Sequence, residues 1–294
     1  MSRSESRPAF RDASDSPGPL ALLRRAIAEV ASRRRLIRYL VGAEMKKRGS
    51  DTVLGNVWWI LDPLLQMVVF VVFVTIIARQ PAPDYPLFIF AAILPWKWFS
   101  AVVTDATSCV ARQERLIKQI AFPKLVLPIA TASAGVVGFA WGLIPLLGLM
   151  LFFADRISLN LLWIPVIAAA QYVFTLAVAI LVAAANVFAR DLGNVIVHVL
   201  RLWWLLSPGL YSLQALDGLG IVERNPGLRT LAGLNPFAVL FEAYRTAIYG
   251  SPDGGPPGIP DLGALAVFAL VSVGFLAACT ILFKRVEPEF AKAL

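Results

Sequence analysis

Residues 159–189 read LNLLWIPVIAAAQYVFTLAVAILVAAANVFA, a run without a single Asp, Glu, Lys or Arg. The hydrocarbon core of a bilayer is about 30 Å thick and takes about 20 helical residues to cross, so this stretch spans it with length to spare. The stretch before it, 125–154, is equally apolar, and only Asp155, Arg156, Ile157 and Ser158 separate the two. About 30 residues make about 45 Å of helix, which predicts a tight transmembrane hairpin whose helices tilt or project beyond the hydrocarbon.

Working outward, the same test finds spans at 57–78, 86–110, 195–213 and 262–283, the second interrupted by Lys97 and Asp105. The expected fold is therefore all-α and integral to the membrane, with six transmembrane helices. The whole composition agrees. Of 294 residues 58% are hydrophobic and 16% charged, against about 25% charged in soluble domains, and mean hydropathy is +0.71. The net charge of +8 would suggest nucleic acid in a soluble protein. Here the basic residues sit between apolar runs, so they are topology signals and no nucleic-acid partner is expected. Placing both termini in the cytoplasm collects most of the 27 Lys and Arg there.

Residues 1–19 are rich in Ser, Pro, Arg and Asp without apolar periodicity, which predicts a disordered cytoplasmic tail. No apolar core with a cleavage site follows the basic start, so it is not a signal peptide. Over 20–56 the pattern changes. Leu23, Ile27, Val30, Leu36, Ile37, Leu40 and Val41 recur at helical spacing against Arg24, Arg25, Arg33, Arg34, Arg35, Arg38, Lys46, Lys47 and Arg48. That suits an amphipathic helix, or two, on an anionic membrane surface, with Trp58 and Trp59 at the interface beside it; a solvated basic linker is the plainer alternative. The connection 214–260 contains 231–250, which is too short and too polar for a seventh span, and a re-entrant or interfacial hairpin fits better.

Chemistry is sparse. There is no GxxxxGK[ST], GxSxG, HExxH or EF-hand string, so the chain has no nucleotide-hydrolysing site of that kind, no catalytic residue is expected, and any ATP energy arrives from another chain. A single His198 and two cysteines, Cys109 and Cys279, offer no metal site and no disulfide framework. Asp12 and Asp15 lie in the tail as solvated charges. Intramembrane polar residues are Asp62, Gln66, Lys97, Asp105, Gln171 and Asn186; such residues face protein or water, although Lys97 and Asp105 sit where snorkelling to the headgroups is the simpler expectation. The aromatic clusters around Trp96 and Trp98, Tyr172, and Trp203 admit two readings. Either they are belt residues, or their ring faces line a sugar path as channel-lining residues. Arg112, Gln113, Glu114, Arg115, Leu116 and Lys118 form a short charged turn that is an ordinary connection on its own, or a surface for a separate motor to push.

Six strings in order carry a resemblance: LGNVWWILDPLLQMVVFVVFV, LFIFAAILPWKWFS, LIKQIAFPKLVLP, NVFARDLGNVIVHVLRLWWLLSPGLYSL, LNPFAVLFEAYRTAIYG and FKRVEPEFAKAL. Together they resemble the type-2 ABC exporter permeases that move polysaccharides, among them the Wzm-type, teichoic acid and capsule permeases, over nearly the whole chain from Leu36. The resemblance implies a homodimer with two copies of a separate nucleotide-binding subunit, which would hold ATP and Mg; this chain would need no cofactor of its own. It implies a coupling helix at Arg112, Gln113, Glu114, Arg115, Leu116 and Lys118, an interface helix matching 36–48, and an external gate containing Asn235, Pro236, Glu242, Tyr244 and Arg245. The family often has an aromatic near the position of Gly49, so the interface helix is expected to break there. The expected activity is export of a glycan on a polyprenyl pyrophosphate lipid across a bacterial inner membrane, with Arg34, Arg35, Arg38, Lys46 and Lys47 gathering the pyrophosphate. O antigen, teichoic acid and cell-wall galactan all remain open as substrates. A drug or lipid permease of the same class is the main alternative. A secondary transporter lacks support because no repeated halves are visible, and a membrane transferase because the cytosolic turns offer only isolated Glu114 and Asp191.

Overall fold

The computed structural model describes residues 18–49, 54–78, 84–119, 122–212, 226–251 and 255–293, so the tail 1–17 and parts of several connections lie outside the described residues. Two helices, α1 (Pro19–Ser32) and α2 (Arg34–Gly49), precede the apolar bundle. The bundle comprises α3 (Trp58–Phe73), running on as a π turn over Val74–Ala78, then α4 (Tyr85–Cys109), α6 (Val126–Met150), α7 (Ile164–Phe188) and α11 (Leu262–Val286). These five are long and apolar enough to cross a membrane. The short α5 (Glu114–Gln119) joins α4 to α6; α8 (Leu192–Leu206), α9 (Pro226–Leu234) and α10 (Pro236–Ile248) lie between α7 and α11; α12 (Phe290–Ala293) ends the chain.

Three expectations shift against these bounds. The helix predicted over 195–213 runs instead from Leu192 to Leu206, 15 residues or about 22 Å, because Ser207 turns extended and Pro208 and Gly209 follow. The 159–189 run opens with a 3-10 segment, Leu159–Trp163, before its α-helix begins at Ile164. The apparent start of order at Leu20 moves to Pro19, which takes the first helical position, where its missing N–H costs nothing.

α4 is the central pillar. Its first half is apolar on every side, and a helix segment of that kind belongs in the interior; from Leu87 to Trp96 each residue is buried. α3, α6, α7, α8 and α10 all pack on it. α6 comes close because it carries glycine where it meets its neighbours: a Cβ on Gly135 would stand 2.2 Å from Val102 Cγ2, and one on Gly142 2.2 Å from Leu94 Cδ1. Small residues at helix contacts are the usual device in lipid, where apolar surface gives no preference for helix over acyl chain. Polar cross-links add to this: Gln171, fully buried on α7, donates to the Pro95 carbonyl of α4 at 2.8 Å, and Ser133 of α6 and the Tyr172 hydroxyl of α7 are 3.0 Å apart. α11 packs mainly along α7. Of the five candidate spans, α3 is the least covered. Leu65, Val68, Val69, Val72, Phe73 and Ile76 form an exposed stripe on it.

Candidate functional site

The chemistry concentrates where α3, α4 and α8 meet. Lys97 sits at the middle of α4 and pairs with Asp62 of α3, since a charge inside hydrocarbon is costly unless it meets a partner or water. Pro63 follows Asp62 inside α3. The pair floors a groove of about 460 Å³ whose walls are Gln66, Ser100, Thr104, Asp105, Arg201, Trp96 and Trp204. A second cavity of about 240 Å³ lies against α3, α4 and α6, lined by Trp58, Trp59, Trp98 and Phe139 together with the same Asp62 and Lys97. Carboxylates, hydroxyls, an amide, an ammonium and a guanidinium thus share a groove with two indoles. Such a set can exchange hydrogen bonds with a polyhydroxylated chain while the ring faces take its C–H surfaces. Sequence reading named Asp62, Gln66, Lys97, Asp105, Trp96 and, in the cluster around Trp203, Trp204, but passed over Ser100, Thr104 and Arg201. Arg201, a cation inside an otherwise apolar short helix, was the available signal.

The aromatic candidates separate. Trp96 borders the groove and packs edge-on against Phe237 at 4.8 Å and close to Trp203 and Trp204. Trp98 borders the smaller cavity and lies 4.7 Å from Phe139. Tyr172 is held against Ser133. Trp203 donates its indole N–H to Asn235 at 3.1 Å, which draws it toward the end of α8.

At that end, opposite the chain termini, Asn235 is the N-cap of α10. Its Oδ1 accepts from the Phe237 N–H at 3.0 Å as well as from Trp203, and its Nδ2 donates to Ser207 Oγ at 2.8 Å. Pro236 follows at the first helical position. Arg245 is 3% exposed and spends its guanidinium on backbone: it donates to the carbonyls of Pro208 at 2.7 Å, Gly209, Tyr211 at 3.1 Å and Phe88 at 3.4 Å, with its carbon 3.7 Å from the Phe88 ring centroid. It gathers the carbonyls that follow α8, which no helix satisfies. Tyr244 is buried beside Phe139, whereas Glu242 is exposed. Arg156, read from sequence only as part of a turn, does equivalent work one layer out. It donates to Asp84 at 2.9 Å, to the Tyr249 carbonyl at 3.1 Å and to the Gly255 carbonyl at 2.7 Å. Asp84 there takes the left-handed conformation, φ 47°, which Asp tolerates better than most residues.

At the end carrying both termini, Arg112 and Gln113 form a 3-10 turn and Arg112 donates to the Asp105 carbonyl at 2.9 Å. In α5, Lys118 hydrogen bonds Glu114 at 2.7 Å, and that ammonium holds the Glu114 carboxyl below its ordinary range. Arg112, Arg115 and Lys118 are exposed while Ile117 is buried; the Leu116 side chain lies outside the described residues. α2 packs on α6 through Leu36, Ile37 and Leu40, leaving Arg34, Arg35, Arg38 and Lys46 exposed. The Lys47 side chain is outside the described residues. α2 runs on to Gly49, so any break near that position lies beyond it.

The comparisons decide the class. The ABC-2 type transporter family matches residues 35–249, from the start of α2 to the end of α10. The chain belongs to that family. This ABC-2 chain is 31% identical over 270 residues to the O-antigen export system permease protein RfbA of Myxococcus xanthus, covering 92% of itself and 99% of the relative. It is 28% identical over 178 residues to an O-antigen export system permease protein RfbA of Klebsiella pneumoniae, covering 60% of itself and 69% of that protein. An ABC-2 membrane protein with several apolar helices crosses its membrane more than once.

Proposed function

We propose that this chain is the membrane-spanning subunit of an ATP-driven exporter that moves a polysaccharide of O-antigen type, carried on polyprenyl pyrophosphate, from the cytoplasm across a bacterial inner membrane. The observation that carries the reading is the polar, indole-flanked groove inside an apolar bundle, in a chain matched nearly end to end by a relative named as an O-antigen export permease. Teichoic acid and cell-wall galactan chains share the hydroxyl-rich chemistry and stay within the proposal. In this reading α8 and the Ser207–Ser212 turn complete a sixth crossing, α9 and α10 form the external re-entrant pair, and both termini are cytoplasmic.

Two copies would pair, each giving one wall of the conduit, because a groove open on one side cannot enclose a chain. Trp96, Trp98, Tyr172 and Trp203 are proposed as its aromatic lining. Asn235, Pro236, Glu242, Tyr244 and Arg245 would form the external gate, closed by the carbonyl bonds of Arg245. Arg112, Gln113, Glu114, Arg115, Leu116 and Lys118 would meet a separate nucleotide-binding subunit, in two copies, which would hold ATP and Mg, so that this chain would need no cofactor of its own. Arg34, Arg35, Arg38, Lys46 and Lys47 would draw the pyrophosphate headgroup to the membrane surface, since several cations on one exposed helix face attract anionic lipid.

The test is a mild-detergent pull-down of the tagged chain with identification of partners and native mass. A P-loop ATPase in a two-plus-two complex is expected. A chain that runs alone and stable under several extraction conditions overturns the coupling assignment. With the complex in hand, ATP hydrolysis stimulated by a drug or simple lipid and not by lipid-linked glycan would favour the alternative permease of the same class.

A further inference from the structure

Lys284 lies in the last turn of α11 with its side chain 7% exposed, and it forms ion pairs with Glu29 of α1 and, at 2.6 Å, with Glu287. The second oxygen of Glu287 accepts the backbone N–H of Lys124 at 2.7 Å. Lys124 stands in the short elbow between α5 and α6. Arg25 completes the group by pairing with Glu29 at 3.1 Å, so two cations and two carboxylates balance. Apolar contacts flank them. Leu22 and Ala26 are the buried residues of α1, and α1 packs on α11. Phe290 of α12 is fully buried against Phe283 and Phe188, in the same cluster as Ile117 of α5. α5 therefore packs against α12, in whose cluster Ile117 is buried, and the elbow that follows it is held through the Lys124 backbone by Glu287. α1, α11 and α12 all lie outside the 35–249 stretch that matches the family.

We propose that Lys284 is a positioning residue for energy coupling, the centre of a latch that makes α1, the end of α11 and the elbow after α5 move as one body. This rests on reading α5 as the surface an ATPase subunit pushes. Without the latch, a displacement of α5 would be absorbed in the elbow. With it, the displacement reaches the last span and the amphipathic helix together. Electrostatics keeps the latch shut, because taking away the ammonium leaves two carboxylates facing each other in a poorly hydrated place.

The experiment uses the full chain in complex with its ATPase subunit in lipid nanodiscs, with spin labels at the exposed positions Ala28 of α1 and Gln119 of α5. The interlabel distance is measured without nucleotide and with ATP plus vanadate. An unchanged, narrow distance is expected in the unmodified chain. Lys284→Met is expected to broaden the distribution with nucleotide and to lower export about tenfold, the effect of about 1.4 kcal/mol, while ATP hydrolysis continues. Glu29→Gln, which takes away the α1 carboxylate but leaves Lys284 paired with Glu287, is expected to broaden the distance in the same way while the complex still assembles. If Lys284→Met fails to assemble, Lys284→Arg, which keeps the pairs, is expected to keep the narrow distance. A nucleotide-dependent change in the unmodified complex, or a narrow distance in Lys284→Met, overturns the latch. A chain that copurifies with no ATPase overturns the coupling reading, and the role of the latch with it; a complex that hydrolyses ATP while its labels separate overturns the latch alone.

Discussion

At the scale of single residues, Lys97 and Arg245 are two cations on largely apolar helices that found partners in different ways. Lys97 found a carboxylate. Removing Asp62 strands the Lys97 ammonium in the middle of α4, where an unpaired charge costs about 2.5–3.5 kcal/mol, whereas removing Lys97 leaves Asp62, 57% exposed, with a smaller penalty. Asp62→Asn and Lys97→Met are each expected to lower the yield of folded protein, and the double variant to recover yield but not export, because the groove loses its donor and acceptor even when its charge balance returns. Arg245 found carbonyls. Arg245→Met orphans several of them, each worth about 1–3 kcal/mol when buried without a partner, so its thermal midpoint in detergent should fall well below that of the unmodified chain. Arg245→Lys should lie between, since an ammonium lacks the planar fork that reaches the carbonyls of Pro208, Gly209 and Tyr211 at once.

At the scale of elements, helix contact is decided by where side chains are absent. Gly135→Ala and Gly142→Ala place a methyl 2.2 Å from Val102 and Leu94; overpacking of that kind costs about 1–3 kcal/mol and should lower the melting temperature. Gly148→Ala meets nothing within 4 Å and should be neutral or slightly stabilising. α8 raises a different question, whether a helix of 15 residues crosses the bilayer with the help of its following turn. Single cysteines at the exposed positions Asp191 and Gly227 should label from opposite sides of the membrane in intact cells, with the buried Cys109 and Cys279 silent. Labelling from the same side would reduce the crossings to five. The long apolar runs were legible in the sequence because span length is a property of one segment. The rank of the helices was not. Lys97 and Asp105 made 86–110 look like a weak span, yet it is the pillar, because the partner of Lys97 sits on another helix. Glu29 and Lys284 are separated by 255 positions, and Arg156 satisfies carbonyls nearly a hundred residues away. Pairings of that range leave no local periodicity to read. Asn235 and Arg245 were reached through family resemblance, and their bonding pattern needed coordinates.

At the scale of the whole molecule, the exposed cations of α2 are proposed to serve the membrane surface and those of α5 the ATPase subunit. Neutralising Arg34, Arg35, Arg38 and Lys46 together should lower export while leaving membrane insertion intact, measured as surface glycan against membrane-fraction yield; unaltered export would remove the headgroup role. The two ends of the bundle are also fastened by different physics. The end with the termini is knotted by ion pairs around Lys284, while the opposite end is fastened by Arg245 and Arg156, largely through guanidinium bonds to main-chain carbonyls. Mobile ions screen the attraction between separated charges but do little to a buried hydrogen bond to a peptide oxygen. In the proposed orientation, the face turned toward the outside therefore keeps its shape through swings in external salinity, while at the inner end screening reaches the exposed Arg25 limb of the knot and largely spares Lys284.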